Sequence, residues 1–486
     1  MIHKNIIYYY YMHIFLYNRG LRLSDNTTLI HQIKEVGSVV PIFIFPPEQI
    51  SPIKNKYFSN NAVQFMIESL HELSDEINKK NGKMYFFKGD NIKVLKEIHK
   101  NKTIESIGFN NDYTPYARKR ETDIKTWCDK NNIKYYCKED HVLYDIFDGQ
   151  TKKADGTPYL VYTPFRNHCM NNLKVRPVDK FKNFKFNKVS QLDNIKFNIN
   201  EKEIDGFYKN NSDINVHGGR SNGLKILAKL GNFKEYNNKR DCLMYKTTFL
   251  GAHNHFNTVS IREVYYKMVE KLGKKSALIN EIHWRDFYVN ITYEFPHVLQ
   301  GQIKSKNISY KKNYDNIKWS YNTKLFEKWC SGTTGYPIID GCMRQLAKTG
   351  FMHNRGRMVV ASFLGKDLHL DWRMGEKWFA SQLVDYDPMS NSGGWLWSYG
   401  NGTDAQPWFR IFNPWTQAEK FDPKCEYIKY WIPELKDVPI KDILNWYKPE
   451  IHEKWLKEGV KYYSPIVDHD EERLKTLELY KQGLKA

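Results

Sequence analysis

Residues 334–355 read TGYPIIDGCMRQLAKTGFMHNR, and residues 385–395 read DYDPMSNSGGW. The chain between Gly335 and Pro414 concentrates Trp, Arg, Asp, Asn and Gly far beyond ordinary helix composition. It also brings arginines such as Arg357 close in sequence to Asp385 and Asp387. A protein interior tolerates such charge pairs only when partners or a polar ligand satisfy them. The stretch therefore predicts a buried site for a planar, anionic ligand.

These stretches resemble the FAD-binding domain of the photolyase/cryptochrome family. The likeness continues through DWR at 371–373 and FRIFNP at 409–414, and it extends more weakly back to about Met12. The resemblance implies that FAD is the cofactor. It also implies a large all-α C-terminal domain that holds the flavin.

The N-terminal part alternates short apolar runs with helical stretches, which is the pattern of a parallel sheet wrapped by helices. The runs are Met12–Asn18, Val39–Phe45, Lys83–Phe87, Ser106–Asn110 and Ile133–Cys137. Apolar residues from Phe65 to Ile77 recur at helical spacing, which predicts a helix with Asn61 as a candidate cap. The predicted fold class is an α/β N-terminal domain plus a large all-α C-terminal FAD-binding domain.

We divide the chain into three parts: an α/β photolyase-type (antenna) domain at 12–137, an interdomain connection at 138–215 and a helical FAD-binding catalytic domain at 216–486. The connection is rich in Lys, Asn and turn signals such as Asp148-Gly149, so we expect it to be loop-like. After Gly218-Gly219 the pattern is helical almost to the end.

The charge balance favours a polyanionic partner. The chain has 74 Lys and Arg against 55 Asp and Glu, a net charge of +19, and such a surface attracts nucleic acid over a long range. Heavy use of Lys, Asn and Ile leaves compositional drift as an alternative. The 7 cysteines form no Cys-x-x-Cys pair, which indicates neither a disulfide framework nor a zinc site. Because of this cysteine pattern we expect no bound metal. No apolar run approaches the roughly 20 residues that cross a bilayer, so we also expect no membrane span.

The resemblance implies a set of cofactor-binding residues. It assigns the adenine and diphosphate of FAD to Tyr236, Thr247, Thr248, Leu250 and Gly251, and the rest of the site to Arg357, Asp385, Tyr386, Asp387 and Asn391. Relatives usually carry Ser-Arg-Leu-Ser where this chain has Thr248-Phe249-Leu250-Gly251.

Asn391 takes the family position beside the reactive flavin nitrogen. A neutral amide there can form a hydrogen bond without offering an acidic proton, which favours a reduced anionic flavin. The alternative is a helix-terminal Asn that makes a local backbone bond.

Trp395, Trp372 and Trp319 occupy the positions of the family's tryptophan chain, through which an excited oxidised flavin draws an electron from the surface. Large aromatic side chains that pack three helices are the alternative. The surrounding motifs favour the relay, and the resemblance adds Glu281 and Asn391 to these tryptophans as catalytic residues.

Residues 281–287 read EIHWRDF and place Glu281, Trp284 and Arg285 within one helical turn. A carboxylate, an indole and a guanidinium can therefore face one cavity, as a flipped-out base requires. A surface Glu–Arg pair beside a core Trp is the alternative. The resemblance implies that Glu281 hydrogen-bonds the dimer bases and that Trp284 stacks on them.

Further residues complete the lesion- and DNA-binding surface by resemblance. They are Arg240, Asn354, Arg355, Met358, Trp397, Arg410 and Gln417. Enzymes that act on the (6-4) photoproduct carry histidines at the positions of Asn354 and Met358, because their chemistry moves protons. The two residues therefore indicate a cyclobutane-type substrate.

A second, light-harvesting chromophore is less defined. Folate-binding relatives carry Asn-Glu just before Arg-Ala-Arg, whereas residues 116–120 of this chain read YARKR. A deazaflavin, another flavin and an empty antenna site all stay open.

The resemblance implies light-dependent repair of cyclobutane pyrimidine dimers in DNA by electron transfer from excited reduced FAD, the activity of a carbon–carbon lyase. We expect damaged DNA as the partner of a monomer that acts in the cytoplasm or nucleus and needs no obligate protein partner. A signalling cryptochrome is the first alternative, and Asn391, Glu281 and Met358 argue against it. A basic nucleic-acid-binding protein with a degenerate flavin fold is the second.

Overall fold

A sheet organises the N-terminal part of the structure, a computed structural model that describes residues 12–299 and 309–485. Its strands are β1 (Met12–Tyr17), β2 (Val40–Phe45), β3 (Tyr85–Lys88), β4 (Ile104–Asn110), β5 (Lys134–Lys138) and β6 (Asn198–Ile199). Within the described ranges their order is β5-β4-β1-β2-β3-β6. Strands β1 to β5 pair in parallel, as predicted, and β6 pairs antiparallel with β3.

Helices cover both faces of the sheet. They are α1 (Thr27–Val36), α2 (Pro47–Ile50), α3 (Asn60–Asn78), α4 (Asn91–Asn101) and α5 (Pro115–Lys130). Side chains alternate along β1: Phe15 and Tyr17 pack in one apolar cluster, whereas Ile14 and Leu16 pack in another. Both faces of a central parallel strand are therefore buried.

Helix α3 confirms the predicted apolar face, because its residues from Phe65 to Ile77 at that spacing are buried. The predicted cap was wrong by two positions. Ser59 is the N-cap, and its hydroxyl accepts a hydrogen bond from the backbone N–H of Ala62 at 3.1 Å. Asn61 lies in the first turn and donates to the carbonyl of Gln382 instead.

The segment 138–215 contains more regular structure than its loop-like sequence predicted. It forms α6 (Tyr162–Asn172) and α7 (Glu201–Asp205) and contributes β6 to the sheet. Strand β6 covers the outer edge of β3, where unpaired backbone groups would otherwise be exposed. The segment therefore packs on the first domain rather than only linking two domains.

The described residues after 215 are mostly helical, as predicted. Its helices are α8 (Arg220–Ala228), α9 (Tyr236–Lys239), α10 (Gly251–Phe256), α11 (Ile261–Leu272), α12 (Ala277–Glu294), α13 (Thr323–Ser331), α14 (Pro337–Thr349), α15 (Asn354–Lys366), α16 (Trp372–Gln382), α17 (Pro388–Tyr399), α18 (Pro414–Phe421), α19 (Glu426–Trp431), α20 (Ile440–Leu444), α21 (Pro449–Lys457) and α22 (His469–Lys485). Helices α13 to α17 surround the largest apolar cluster, which includes Trp329, Val360 and Trp395. No helix in the two described ranges combines the length and the apolar character that a membrane span needs.

A buried charge cluster joins the sheet domain to the helical domain. Asp140 accepts hydrogen bonds from Arg22 at 2.7 Å and from Arg262 of α11 at 2.8 Å, and Arg262 also pairs with Asp25 at 2.8 Å. All four side chains are nearly inaccessible to solvent. The guanidinium charges outweigh desolvation and hold the pKa of Asp140 well below its ordinary value.

Candidate active site

A cavity of about 460 Å³ opens between helices α12, α15 and α17. Its volume is within the usual range for small-molecule sites. The predicted residues that line it are Tyr236, Arg240, Thr247, Glu281, Trp284, Arg285, Asn354, Arg355, Arg357, Met358, Asp385, Asp387, Asn391, Trp395 and Trp397. Residues distant in sequence therefore meet in one site, and the roles assigned to them by resemblance stay predictions.

Helix geometry explains how residues of α15 and α17 reach one cavity. Asp387 is the N-cap of α17 and accepts a hydrogen bond from the N–H of Ser390 at 2.9 Å. Asn391 and Trp395 follow at a spacing of four, which places them on the same face of α17. His353 caps α15, and its Nδ1 accepts from the N–H of Arg355 at 3.1 Å.

An arginine clamps one carboxylate at the cavity. The Nη2 atom of Arg357 donates to both carboxylate oxygens of Asp385, at 3.0 and 2.9 Å. Gly251 allows this approach, because a Cβ atom at that position would lie 2.8 Å from Asp385 Oδ2. Gly251, where relatives usually carry serine, therefore leaves the space that the Asp385 carboxylate occupies.

The sheet domain holds a second carboxylate in place. Arg19, at the end of β1, donates to Asp387 at 3.1 Å and to Asp112 at 3.0 Å. His255 lies 3.3 Å from Asp387. Desolvation would raise the pKa of Asp387, but the hydrogen bond from His255 and the charge of Arg19 outweigh it and hold that pKa well below its ordinary value. The anion at the start of α17 is therefore permanent at neutral pH.

Asn391 is oriented by a buried carboxyl group. Its Nδ2 donates to Glu376 Oε1 at 3.0 Å and to the Glu376 carbonyl at 3.1 Å. Tyr57 and Tyr386 also hydrogen-bond Glu376, and burial raises its pKa to about 7. With the amide nitrogen engaged, Asn391 presents its carbonyl oxygen as the free acceptor. The local backbone bond considered from the sequence is not the bond that orients this side chain.

The chemistry of the lining suits a planar, anionic cofactor such as FAD. Hydroxyl and guanidinium donors come from Tyr236, Thr247 and Arg357, and an apolar wall comes from Phe379 and Leu383. Buried donors on the lining residues His353 (Nε2) and Arg355 (Nε) have no hydrogen-bond partner among the residues that the structure describes. Such orphaned groups are expected where a polar ligand binds.

The mouth of the cavity carries the predicted lesion-binding set. Glu281 lies 3.5 Å from Arg240 and is hydrogen-bonded by Tyr236, and desolvation in the cleft still raises the pKa of Glu281. The amide of Asn354 lies 3.7 Å from the sulfur of Met358. Burial lowers the pKa of His353 to about 4, so this imidazole is neutral at physiological pH.

Of the three predicted relay tryptophans, Trp395 lines the cavity, Trp372 is buried outside the lining and Trp319 is partly exposed. Trp395 is buried against α16, where a Cβ atom at Gly375 would lie 2.1 Å from its ring. Trp372 lies one turn before Gly375 on the same helix. Tyr399 contacts both Trp395 and the partly exposed Trp319, with ring centroids 6.2 and 5.1 Å apart.

Six predicted cofactor- or DNA-binding residues are not part of the cavity lining. They are Thr248, Leu250, Gly251, Tyr386, Arg410 and Gln417. Leu250 is buried in an apolar cluster, and Tyr386 points to Glu376. Arg410 is exposed near the N-terminus of α18, and Gln417 lies half-buried on that helix. The cofactor and DNA contacts assigned to these six residues therefore stay predictions.

The cavity also contains residues that the sequence did not single out for it. They include Asp241, Tyr288, Ala361, Phe379, Leu383, Ser390, Gly394 and Ser398. Ser390 and Gly394 share a face of α17 with Asn391 and Trp397, so helical spacing alone was a signal for them. Asp241 pairs with Arg355 at 2.8 Å, which only the tertiary structure shows.

Comparison with known proteins identifies the family. The family described as "DNA photolyase" matches residues 13–183, and the family described as "FAD binding domain of DNA photolyase" matches residues 278–482. A deoxyribodipyrimidine photo-lyase of Buchnera aphidicola is 33% identical over 493 residues, which cover 96% of this chain and 97% of the relative. The chain belongs to the DNA photolyase family.

Solved photolyase-family structures share the whole fold. An archaeal photolyase from Sulfolobus tokodaii, solved with two FAD molecules, has a TM-score of 0.83 and 37% identity, with 97% of this chain and 99% of that chain covered. A Synechocystis cryptochrome has a TM-score of 0.84 and 25% identity, with 96% and 99% covered. The comparisons confirm the predicted fold class and place an FAD-binding domain of the photolyase type around the cavity.

Proposed function

We propose that this protein is a deoxyribodipyrimidine photo-lyase that binds FAD and repairs cyclobutane pyrimidine dimers in DNA under light. One observation carries the proposal: a single cavity joins the cofactor set around Asp385 and Asn391 to the lesion set around Glu281 and Trp284. A flavin and a flipped-out base bound there would be neighbours. The full-length similarity to proteins named deoxyribodipyrimidine photo-lyase supports the same activity.

The protein's own groups would bind and orient both partners. Arg357 and Asp387 would hold the cofactor, and the carbonyl oxygen of Asn391 would accept a hydrogen bond from it. When bound, reduced FAD supplies a light-excited electron that opens the cyclobutane ring and then returns, so no net redox change occurs.

The lesion side favours the cyclobutane dimer. Glu281 and Asn354 offer hydrogen-bonding groups to base edges, and Trp284 offers a stacking surface. Met358 occupies a position where (6-4) enzymes would supply a proton-transferring His. Burial lowers the pKa of His353 to about 4, so this imidazole is uncharged near pH 7 and is not a cationic proton donor there.

The test is blue-light repair of a thymine-dimer oligonucleotide by the chemically reduced, FAD-loaded protein. A dark sample and an oligonucleotide with a (6-4) photoproduct serve as controls. We expect light-dependent repair of the dimer alone. FAD binding with repair of neither lesion would overturn the proposal in favour of a cryptochrome, and failure to bind FAD would point to the altered loop at Thr247–Gly251.

A pair of variants makes this test specific to the cavity. Glu281→Ala removes the carboxylate at the mouth, and we expect at least tenfold slower repair at limiting DNA. Glu270→Ala removes an exposed carboxylate on α11 that pairs with the neighbouring Lys267 and Lys271, and we expect no change. Equal effects of the two substitutions would argue against the assigned lesion site.

Two further properties belong to this proposal. We propose that a monomer acts on damaged DNA, wherever the cell keeps it, in cytoplasm or nucleus. The two FAD molecules of the Sulfolobus relative favour a flavin among the antenna chromophores that the sequence left open. The absorption spectrum and flavin stoichiometry of the isolated protein distinguish these chromophores.

A further inference from the structure

The tryptophan at the mouth of the cavity is backed by a second aromatic ring. Tyr162, the first residue of α6, stacks on Trp284 with ring centroids 3.7 Å apart and an interplanar angle of 7°. Trp284 lines the cavity and is partly exposed, whereas Tyr162 is buried with 5% of its surface accessible. One face of the indole is therefore covered by Tyr162, and the other is left for a ligand.

Two hydrogen bonds fix Tyr162 in this position. Its hydroxyl donates to the carbonyl of Asn280 at 2.8 Å, one turn before Trp284 on α12. Its backbone N–H donates to the carboxylate of Asp404 at 3.1 Å. Phe287 packs edge-on against both rings, at centroid distances of 5.9 and 5.7 Å. The Tyr162 ring can neither rotate away from the indole nor slide along α12 without losing these contacts.

The same contacts link two walls of the cleft. Asp404 belongs to the loop between α17 and α18, which also carries Arg410, and its backbone is left-handed with φ 48°. Helix α6 thus contacts the α12 wall through the Tyr162 ring and the neighbouring loop through the Tyr162 backbone. This helix lies in the segment that the sequence indicated as a mere connection.

We propose that Tyr162 is a positioning residue for lesion recognition, which holds the Trp284 indole as a flat, fixed platform for the flipped-out base. The inference rests on the proposed function, since it assigns the free face of Trp284 to the damaged base. A stacking platform binds best when its orientation is set before the base arrives, because no rotamer freedom is then lost on binding. Tyr162 itself does not touch the base.

Dark binding to a dimer-containing oligonucleotide and to the undamaged oligonucleotide tests the proposal. We expect Tyr162→Ala to weaken binding of the damaged DNA about five- to tenfold, within the range of one stacking contact, and to leave the undamaged DNA within twofold. Tyr162→Phe keeps the ring and should bind within twofold of the parent. Thr163→Ala, at the exposed next position of α6, is the matched control and should have no effect.

A double-mutant cycle separates positioning from general folding. If Tyr162 acts through Trp284, Tyr162→Ala should have no further effect on damaged-DNA binding in a Trp284→Ala background. Additive effects, equal weakening for both DNAs, or an unchanged preference in Tyr162→Ala would each overturn the proposal.

A DNA-free measurement distinguishes failure of this inference from failure of the proposed function. In protein labelled with 5-fluorotryptophan, the ¹⁹F resonance lost in Trp284→Phe identifies the indole. Tyr162→Ala should shift and broaden that resonance, whereas Tyr162→Phe should not. If the variants show these ¹⁹F changes but the parent protein binds both DNAs equally, the repair function is refuted. If the resonance does not move in Tyr162→Ala, the positioning role is refuted.

Discussion

Replacing Asn391 by Asp would put a second carboxyl group against Glu376. The donor and acceptor atoms are now 3.0 Å apart, and Glu376 is buried. Two negative charges at that distance repel by about 5 kcal/mol at an effective dielectric constant near 20, which corresponds to about 4 pKa units. In the variant the two carboxyl groups would therefore share one proton across neutral pH.

The added charge depends on pH in a defined way. In the parent, burial raises the pKa of Glu376 to about 7, so this group is neutral below that pH and negative above it. In Asn391→Asp the pair carries one negative charge on both sides of neutrality. The substitution therefore adds a negative charge at about pH 6 and almost none at about pH 8.5.

Under the proposed function, this charge opposes formation of the anionic reduced flavin. We expect the added charge to destabilise the anionic flavin by about as much as one hydrogen bond to a charged group stabilises it, which is about 1.5–3 kcal/mol. This energy corresponds to about 60–130 mV for a one-electron step. We expect Asn391→Asp to lower the flavin midpoint potential by that amount at about pH 6 and by less than half of it at about pH 8.5. Spectroelectrochemical titration of the FAD-loaded protein measures both values.

Glu376→Gln provides the matched control. It removes the titrating group, so the effect of Asn391→Asp measured in that background should be independent of pH. A midpoint potential equal to the parent's at about pH 6 would refute the reasoning, as would a pH-dependent shift that persists without Glu376.

Three further outcomes test other parts of the site and the fold. Trp395→Phe should block photoreduction of oxidised FAD by an added thiol, yet leave repair by chemically reduced enzyme largely intact; unchanged photoreduction would remove this residue from the relay. Binding to duplex DNA, followed by fluorescence anisotropy, should weaken with salt at a log–log slope of about −3 to −4.5 if three to five phosphates are neutralised, and a slope near zero would contradict a phosphate-binding surface. Asp140→Asn should lower the free energy of unfolding by about 3–5 kcal/mol in urea, because Arg22 and Arg262 lose a shared buried counter-charge. Because the folded-state pKa of Asp140 is depressed, its contribution to the free energy of unfolding is present above the unfolded pKa of about 4 and is lost as the pH falls. A difference in the free energy of unfolding below about 1 kcal/mol between Asp140→Asn and the parent at neutral pH would count against the role of the cluster.

The sequence by itself determined the features that depend on short-range periodicity. Apolar runs alternating with helical spacing predicted the parallel sheet, and the buried face of α3 followed the same rule. The spacing of Glu281, Trp284 and Arg285 on one helix predicted that they would face one cavity, which they do. Such features are local because side-chain direction repeats along a helix or strand.

Only the tertiary structure decided which distant groups meet at the site. Arg19 and Asp387 are 368 positions apart, yet they form a buried ion pair that fixes the start of α17. Tyr162 stacks on Trp284 although its own segment has a loop-like composition, and β6 forms there because the edge of β3 offers backbone partners. Contacts of this kind depend on how whole elements pack against one another, and no spacing within the chain encodes that packing.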